Sequence, residues 1–119
     1  MLFRPAKPAD LAKFMDPVPY TVKAVVAEHD GEVLGIGGVY YQGMAVIAFS
    51  EFDPKMRRFA TDMMRGARKI VEIVKSVRAP VYAIPGPFAS APVLLKRFGF
   101  EPIDETNYYV WRGAGEWAQ

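Results

Sequence analysis

The chain has no cysteine and one histidine, His29. Thiolate nucleophiles, zinc-thiolate sites and multi-histidine metal centres are therefore excluded. What remains for chemistry is carboxylates, tyrosines and one basic stretch. Eight Lys or Arg residues lie between Lys55 and Arg78, against only Asp62 and Glu72. A positive face of that kind can track phosphates. Lys55, Arg58, Arg65, Arg68, Lys69 and Lys75 fall mainly opposite an apolar stripe, the pattern of a solvated helix face. Net charge is +2 and no recognised DNA-binding motif is present, so nucleic acid is not an expected partner.

The elements that position these groups follow from periodicity and turn chemistry. Leu2-Phe3-Arg4 reads as a short strand, and Pro8-Ala9-Asp10 opens a helix over Leu11 to Met15 that Pro17 and Pro19 stop. Thr21 to Glu28 is valine-rich and alternates weakly, as a strand does. Asp30-Gly31 tolerates the positive φ angles of a tight hairpin, so Val33 to Tyr41 returns as its partner. Met44 to Phe52 is a third, nearly all-apolar strand. Apolar residues at spacings of three and four, from Met56 to Val77, predict the longest helix. Val81 to Ile84 is a short strand cut off by Pro85-Gly86-Pro87, the sequence of an ordinary tight turn. A short helix from Ala91 to Phe98 follows, with Ser90 as its cap. Final strands are expected near Glu101 to Glu105 and Tyr108 to Arg112. At 119 residues, 51% of them hydrophobic, this reads as one domain over 1–112 with a loose tail over 113–119. No apolar run approaches the ~20 residues that span a bilayer. No signal-peptide core is visible, so a cytoplasmic protein without a membrane partner is expected.

Strands and helices mix without strict alternation, which predicts a mixed α/β sheet. The run Leu94-Leu95-Lys96-Arg97-Phe98-Gly99-Phe100-Glu101-Pro102 is a short helix closed by glycine and followed by an extended segment. With Asn107-Tyr108-Tyr109-Val110-Trp111, and with Arg4-Pro5-Ala6 and Asp10 near the start, it resembles the Gcn5-related N-acetyltransferase (GNAT) family. The resemblance covers almost the whole chain, although the family's second helix is reduced or absent. It implies a mostly antiparallel central sheet with a splayed parallel strand pair, Met44–Phe52 and Val81–Ile84, and flanking helices. It also implies acetyl-coenzyme A in the gap, its pantetheine pairing like an added strand.

In the family, pyrophosphate rests on backbone N–H groups at the start of the long helix. By that likeness Phe52, Arg57, Arg58, Phe59, Ala60 and Thr61 are the cofactor-binding positions, with Phe52 or Glu51 offering an N–H to the thioester carbonyl. Arg57 matches the family pattern. Ala60 stands where the first glycine belongs, and Asp62 where a second small residue belongs. Two helix starts are open. Thr61 as N-cap leaves the preceding N–H groups free, whereas Asp53 capping with Pro54 in the first turn absorbs them into helix. The resemblance suggests Glu51 as proton acceptor, where the residue alone reads as a solvated strand-end carboxylate. Leu95 occupies the family's acid position and cannot donate; the resemblance suggests Tyr108 or Tyr109 as the substitute, where the residues alone read equally as side chains that pack the sheet or its exposed face. The function implied is acetyl transfer from acetyl-coenzyme A to an amine, without a metal. The alternative is a catalytically inactive GNAT-fold binding module, of viral or mobile-element type. A homodimer is a further expectation.

Overall fold

Among the described residues of the computed structural model seven strands form one sheet, in the order β1-β2-β3-β4-β5-β7-β6. The structure describes residues 1–15, 21–83 and 95–112. The strands are β1 (Leu2–Pro5), β2 (Thr21–His29), β3 (Glu32–Gln42), β4 (Ala45–Phe52), β5 (Val81–Ala83), β6 (Glu101–Pro102) and β7 (Tyr109–Trp111). Helix α1 spans Pro8–Phe14 and helix α2 spans Ala60–Ser76. Every described pairing is antiparallel except that of β4 with β5. The mixed α/β sheet expected from the sequence is therefore present, with one parallel pair. A parallel pair needs a crossover, and α2 supplies it.

Local chemistry sets these elements. Asp30 and Gly31 take φ of 50° and 79°, the left-handed values that a two-residue hairpin demands. Between Ala27 and Glu28 the β2–β3 register shifts by one residue, leaving Leu34 as an extra residue in β3. Leu34 is buried with Ala27 and Met56, under Phe3, Phe52, Phe59 and Met63. The main core gathers Val39, Val46, Val81 and Ala83 from the sheet, with Ile73, Val74 and Val77 from α2. Phe100 completes it. Helix and sheet approach closely at Gly37, where a Cβ would stand 2.2 Å from Ile70 Cδ1. Any side chain there would force Ile70 out of its place against β3.

Most boundaries shift by a residue from the sequence reading, and three differences have a clear local cause. α1 begins at Pro8, because Asp10 accepts a hydrogen bond from the Lys7 N–H at 2.7 Å and closes the first turn. The long helix does not run unbroken from Met56. A 3-10 turn, Pro54–Arg58, comes first, and Phe59 leaves helical geometry with φ −110° and ψ 53° before α2 starts. Such turns stay short because their hydrogen bonds are poorly aligned. β6 stops at Pro102 because a turn follows. There the Thr106 N–H donates to the Ile103 carbonyl, and Glu105 takes φ of 60°. The expectations for Pro17, Pro19, Ile84, Pro85-Gly86-Pro87, the Ser90 cap and the tail over 113–119 fall outside the described residues.

Candidate active site at the end of β4

β4 and β5 pair over three positions, Val46 with Val81, Ile47 with Tyr82 and Ala48 with Ala83. β4 then continues to Phe52 along β3. The Asp53 N–H donates to the Leu34 carbonyl at 2.8 Å, so its main chain faces β3. Backbone direction alternates along a strand, so Glu51 also faces β3 while Ser50 and Phe52 face the β5 side. Of the two N–H donors expected for a thioester carbonyl, only that of Phe52 therefore points the right way.

Asp53 does cap the turn, as one of the two readings held. Its Oδ1 accepts from the Lys55 N–H at 2.9 Å, and Pro54 takes the first position, where a missing N–H costs nothing. Thr61 is not a cap; that place belongs to Phe59, whose side chain makes no capping bond. The outcome lies between the two readings. The Phe59 N–H is absorbed by the Met56 carbonyl, and the first bond of α2 runs from the Met63 N–H to the Phe59 carbonyl. The N–H groups of Ala60, Thr61 and Asp62 precede that bond, as the first N–H groups of any α-helix do. Ala60 and Thr61 are exposed, as are Arg57 and Arg58. Asp62 bonds Arg65 on its own helix at 2.9 Å, which partly neutralises it.

Glu51 is exposed, and its side chain makes no hydrogen bond or ion pair among the described residues. Phe52 packs towards α2, so alternation puts the Glu51 side chain on the opposite face. Tyr109 also packs on the α2 side. Carrying the alternation back one residue puts Tyr108 on the same face as Glu51. Tyr108 is 47% exposed. β7 is antiparallel to β5 and enters at the end where β4 leaves, so Glu51 and Tyr108 flank the β5 position. Leu95 is half-buried and packs against the main core, so it contributes volume and no proton. Among the described residues no group of three or more His, Cys, Asp or Glu side chains is placed to hold a metal ion. No helix among them is long and apolar enough to cross a membrane.

This architecture has solved counterparts. The chain is similar to the crystal structure of the ribosomal-protein-S18-alanine N-acetyltransferase from Escherichia coli, with a TM-score of 0.60. The match covers 92% of this chain and 90% of that one at 10% identity. The chain has a GNAT-like fold. A mutant AtaT toxin bound to the C-terminus of the antitoxin AtaR matches less well, with a TM-score of 0.43 at 15% identity, over 76% of this chain and 65% of that one. No protein-family model matches the chain, and no curated protein matches it in sequence.

Two further clusters sit on this GNAT-like scaffold, and sequence reasoning did not assemble either. Arg4 of β1 binds Asp10 of α1 at 2.8 and 3.1 Å and Glu28 of β2 at 3.1 and 3.3 Å. Arg4 holds the buried Asp10 carboxyl below its ordinary value near 3.8, and the Lys7 N–H adds to the effect. In return, Asp10 and then Glu28 raise the Arg4 guanidinium above its usual range. The sequence showed Arg4 and the first-turn acid Asp10 near the start without pairing them; nothing pointed to Glu28, 24 positions from Arg4. The second cluster is an open cleft of about 380 Å³ lined by His29, Asp30, Glu32, Lys55 and Arg58. Lys55 bonds Glu32 at 3.1 Å, Arg58 lies over the Phe59 ring, and His29 packs on the same ring at 4.8 Å. It lies beside the β2–β3 hairpin, on the far side of the turn from β5.

Proposed function

We propose that this protein is an acyltransferase that moves an acetyl group from acetyl-coenzyme A to an amine. One observation carries the reading: β4 pairs with β5 in parallel and leads through a capped turn into the start of α2. An extended thioester carrier would lie beside the end of β4, where the main-chain groups of Ser50 and Phe52 face the β5 side as an added strand requires. Donors preset where charge develops stabilise the tetrahedral oxygen of acyl transfer, and the Phe52 N–H suits that role. Ala60 to Asp62 offer their N–H groups to the pyrophosphate, with Arg57 and Arg58 beside them.

The chain's own groups would then handle the protons. Glu51 takes the proton of the acceptor ammonium, directly or through water. The amine nitrogen bonds to the carbonyl carbon, the carbon–sulfur bond breaks, the Tyr108 hydroxyl protonates the departing thiolate, and the second proton shed by the nitrogen restores the tyrosine through water. Placement in the cytoplasm, where acetyl-coenzyme A is made and used, suits this donor.

Isothermal titration of the full chain with acetyl-coenzyme A tests the reading. Saturable heat is expected, and no heat at millimolar ligand overturns it. A second reading is favoured by Asp62 and Leu95: one puts a carboxylate in the phosphate-binding turn, the other puts an aliphatic side chain in the family's acid position. It holds the chain to be a binding module without turnover. Coenzyme A binding with no thiol release across a panel of amines would select it.

A further inference from the structure

The charge on this chain is segregated. Residues 55–78 hold eight Lys or Arg against two acids, while the remainder holds seven against eleven. The apolar stripe of α2 is turned into the core, so its charged residues share the outer face. Arg65, Arg68, Lys69 and Lys75 are all exposed there, with Glu72 among them. Asp62 neutralises Arg65, but Arg68, Lys69 and Lys75 have no carboxylate partner among the described residues. Lys23 of β2 reaches the C-terminal end of the helix and donates to Ser76 Oγ at 3.0 Å, extending the positive row.

A merely solvated helix does not need this arrangement. Cations near a helix C-terminus complement its dipole, which accounts for Lys75. Arg65, Arg68 and Lys69 lie in the first two-thirds of the helix, where the dipole gives them little. Like charges three and four residues apart repel on a helix surface, and an anionic partner would relieve that repulsion. Arg68 and Lys75 stand roughly 10 Å apart along the axis, a span that several backbone phosphates can match. Helices that lie on membranes expose large apolar side chains, and α2 has turned its own inward.

We infer that the outer face of α2 binds the phosphodiester backbone of a nucleic acid, without base readout. Sequence alone reads this helix as a solvated face; the fold adds that the cations collect on one side and that most lack partners. The inference is independent of acyl transfer.

The test uses the full chain and fluorescein-labelled 20-mers: duplex RNA, duplex DNA and single-stranded RNA. Anisotropy is read at about 50 mM and about 200 mM salt. Binding in the micromolar range at low salt is expected, with a log–log salt slope near −3 for duplex DNA, from about three or four phosphates contacted. The double substitution Arg68→Glu with Lys69→Glu should weaken binding at least tenfold. Lys96→Glu with Arg97→Glu changes net charge equally, on exposed residues outside α2, and should weaken it less than threefold. Thermal melts that match wild type show that both variants fold. No binding at low salt overturns the inference, as does equal loss from the two variants. Tighter binding to vesicles with one-third anionic lipid than to any of the oligonucleotides overturns it in favour of a membrane surface.

Discussion

Asp10 and Glu51 are both carboxylates served from the sheet face turned away from α2, yet their surroundings are opposite. Asp10 is buried and accepts three hydrogen bonds, two from Arg4 and one from the Lys7 N–H. Glu51 is exposed, at the end of β4, and accepts none among the described residues. One carboxylate has its valence filled by the protein and ties β1, α1 and β2 together. The other is left to solvent or to a substrate. Residue type does not separate a saturated acid from an open one; the number of protein donors around it does.

The comparison is broken most sharply at Glu51. Glu51→Gln should slow acetyl transfer by about 10²–10⁴-fold, the usual weight of a general base. Its melting temperature should stay within about 1 °C of wild type, because no folded-state bond is lost. Thiol release from acetyl-coenzyme A measures the first and calorimetry the second. A lower melting temperature with unchanged turnover would reverse the roles assigned to the two acids.

Asp10→Ala should do the converse. Loss of its charge-assisted bonds and of the α1 first-turn bond should cost about 2 kcal/mol of stability. Coenzyme A affinity should not change. The same acid predicts a pH signature. Its folded pKa lies below the unfolded value near 3.8, so its stabilisation is present above that value and is lost as pH falls through the folded one. The stability gap between wild type and Asp10→Asn should therefore be flat from neutral pH down to about 5 and shrink below about 4. Urea denaturation across that range reads it directly.

Smaller effects sharpen the picture at the other end of the sheet. Tyr108→Phe should reduce turnover by about tenfold, at the low side of general-acid effects, because water reaches a half-exposed hydroxyl and can replace it. A poorer leaving thiol should enlarge the deficit, which a structural defect would not do. Asp62→Ser should tighten coenzyme A binding about fivefold, since one charge near a diphosphate in water is worth ~1 kcal/mol. Titration of both proteins measures it; unchanged affinity would mean the phosphates lie elsewhere.

Much of the scaffold could be read from neighbouring residues. Asp30-Gly31 specified its hairpin because positive φ is a local property. Asp53-Pro54 specified a helical start for the same kind of reason. The apolar stripe of α2 announced its buried face, and Ile73, Val74 and Val77 duly fill the core. The site was less legible. Phe59 breaks the helix between two good helical segments, and no propensity marks that break. The direction of the Phe52 N–H depended on strand register, which one residue of slippage would invert. The Arg4–Asp10–Glu28 cluster joins positions far apart in the chain, so no short window contains it.

The sequence by itself determined the order of elements, the hairpin, the cap before α2 and the excess of cations along that helix. Each rests on interactions between residues a few positions apart, where backbone stereochemistry and periodicity act directly. Tertiary structure alone decided that β4 pairs with β5 in parallel, which amides at the end of β4 turn away from β3, which acid is saturated and which is open, and that the cations share one face. Those outcomes depend on strands and helices distant in sequence meeting in a single register, and only the packed chain fixes it.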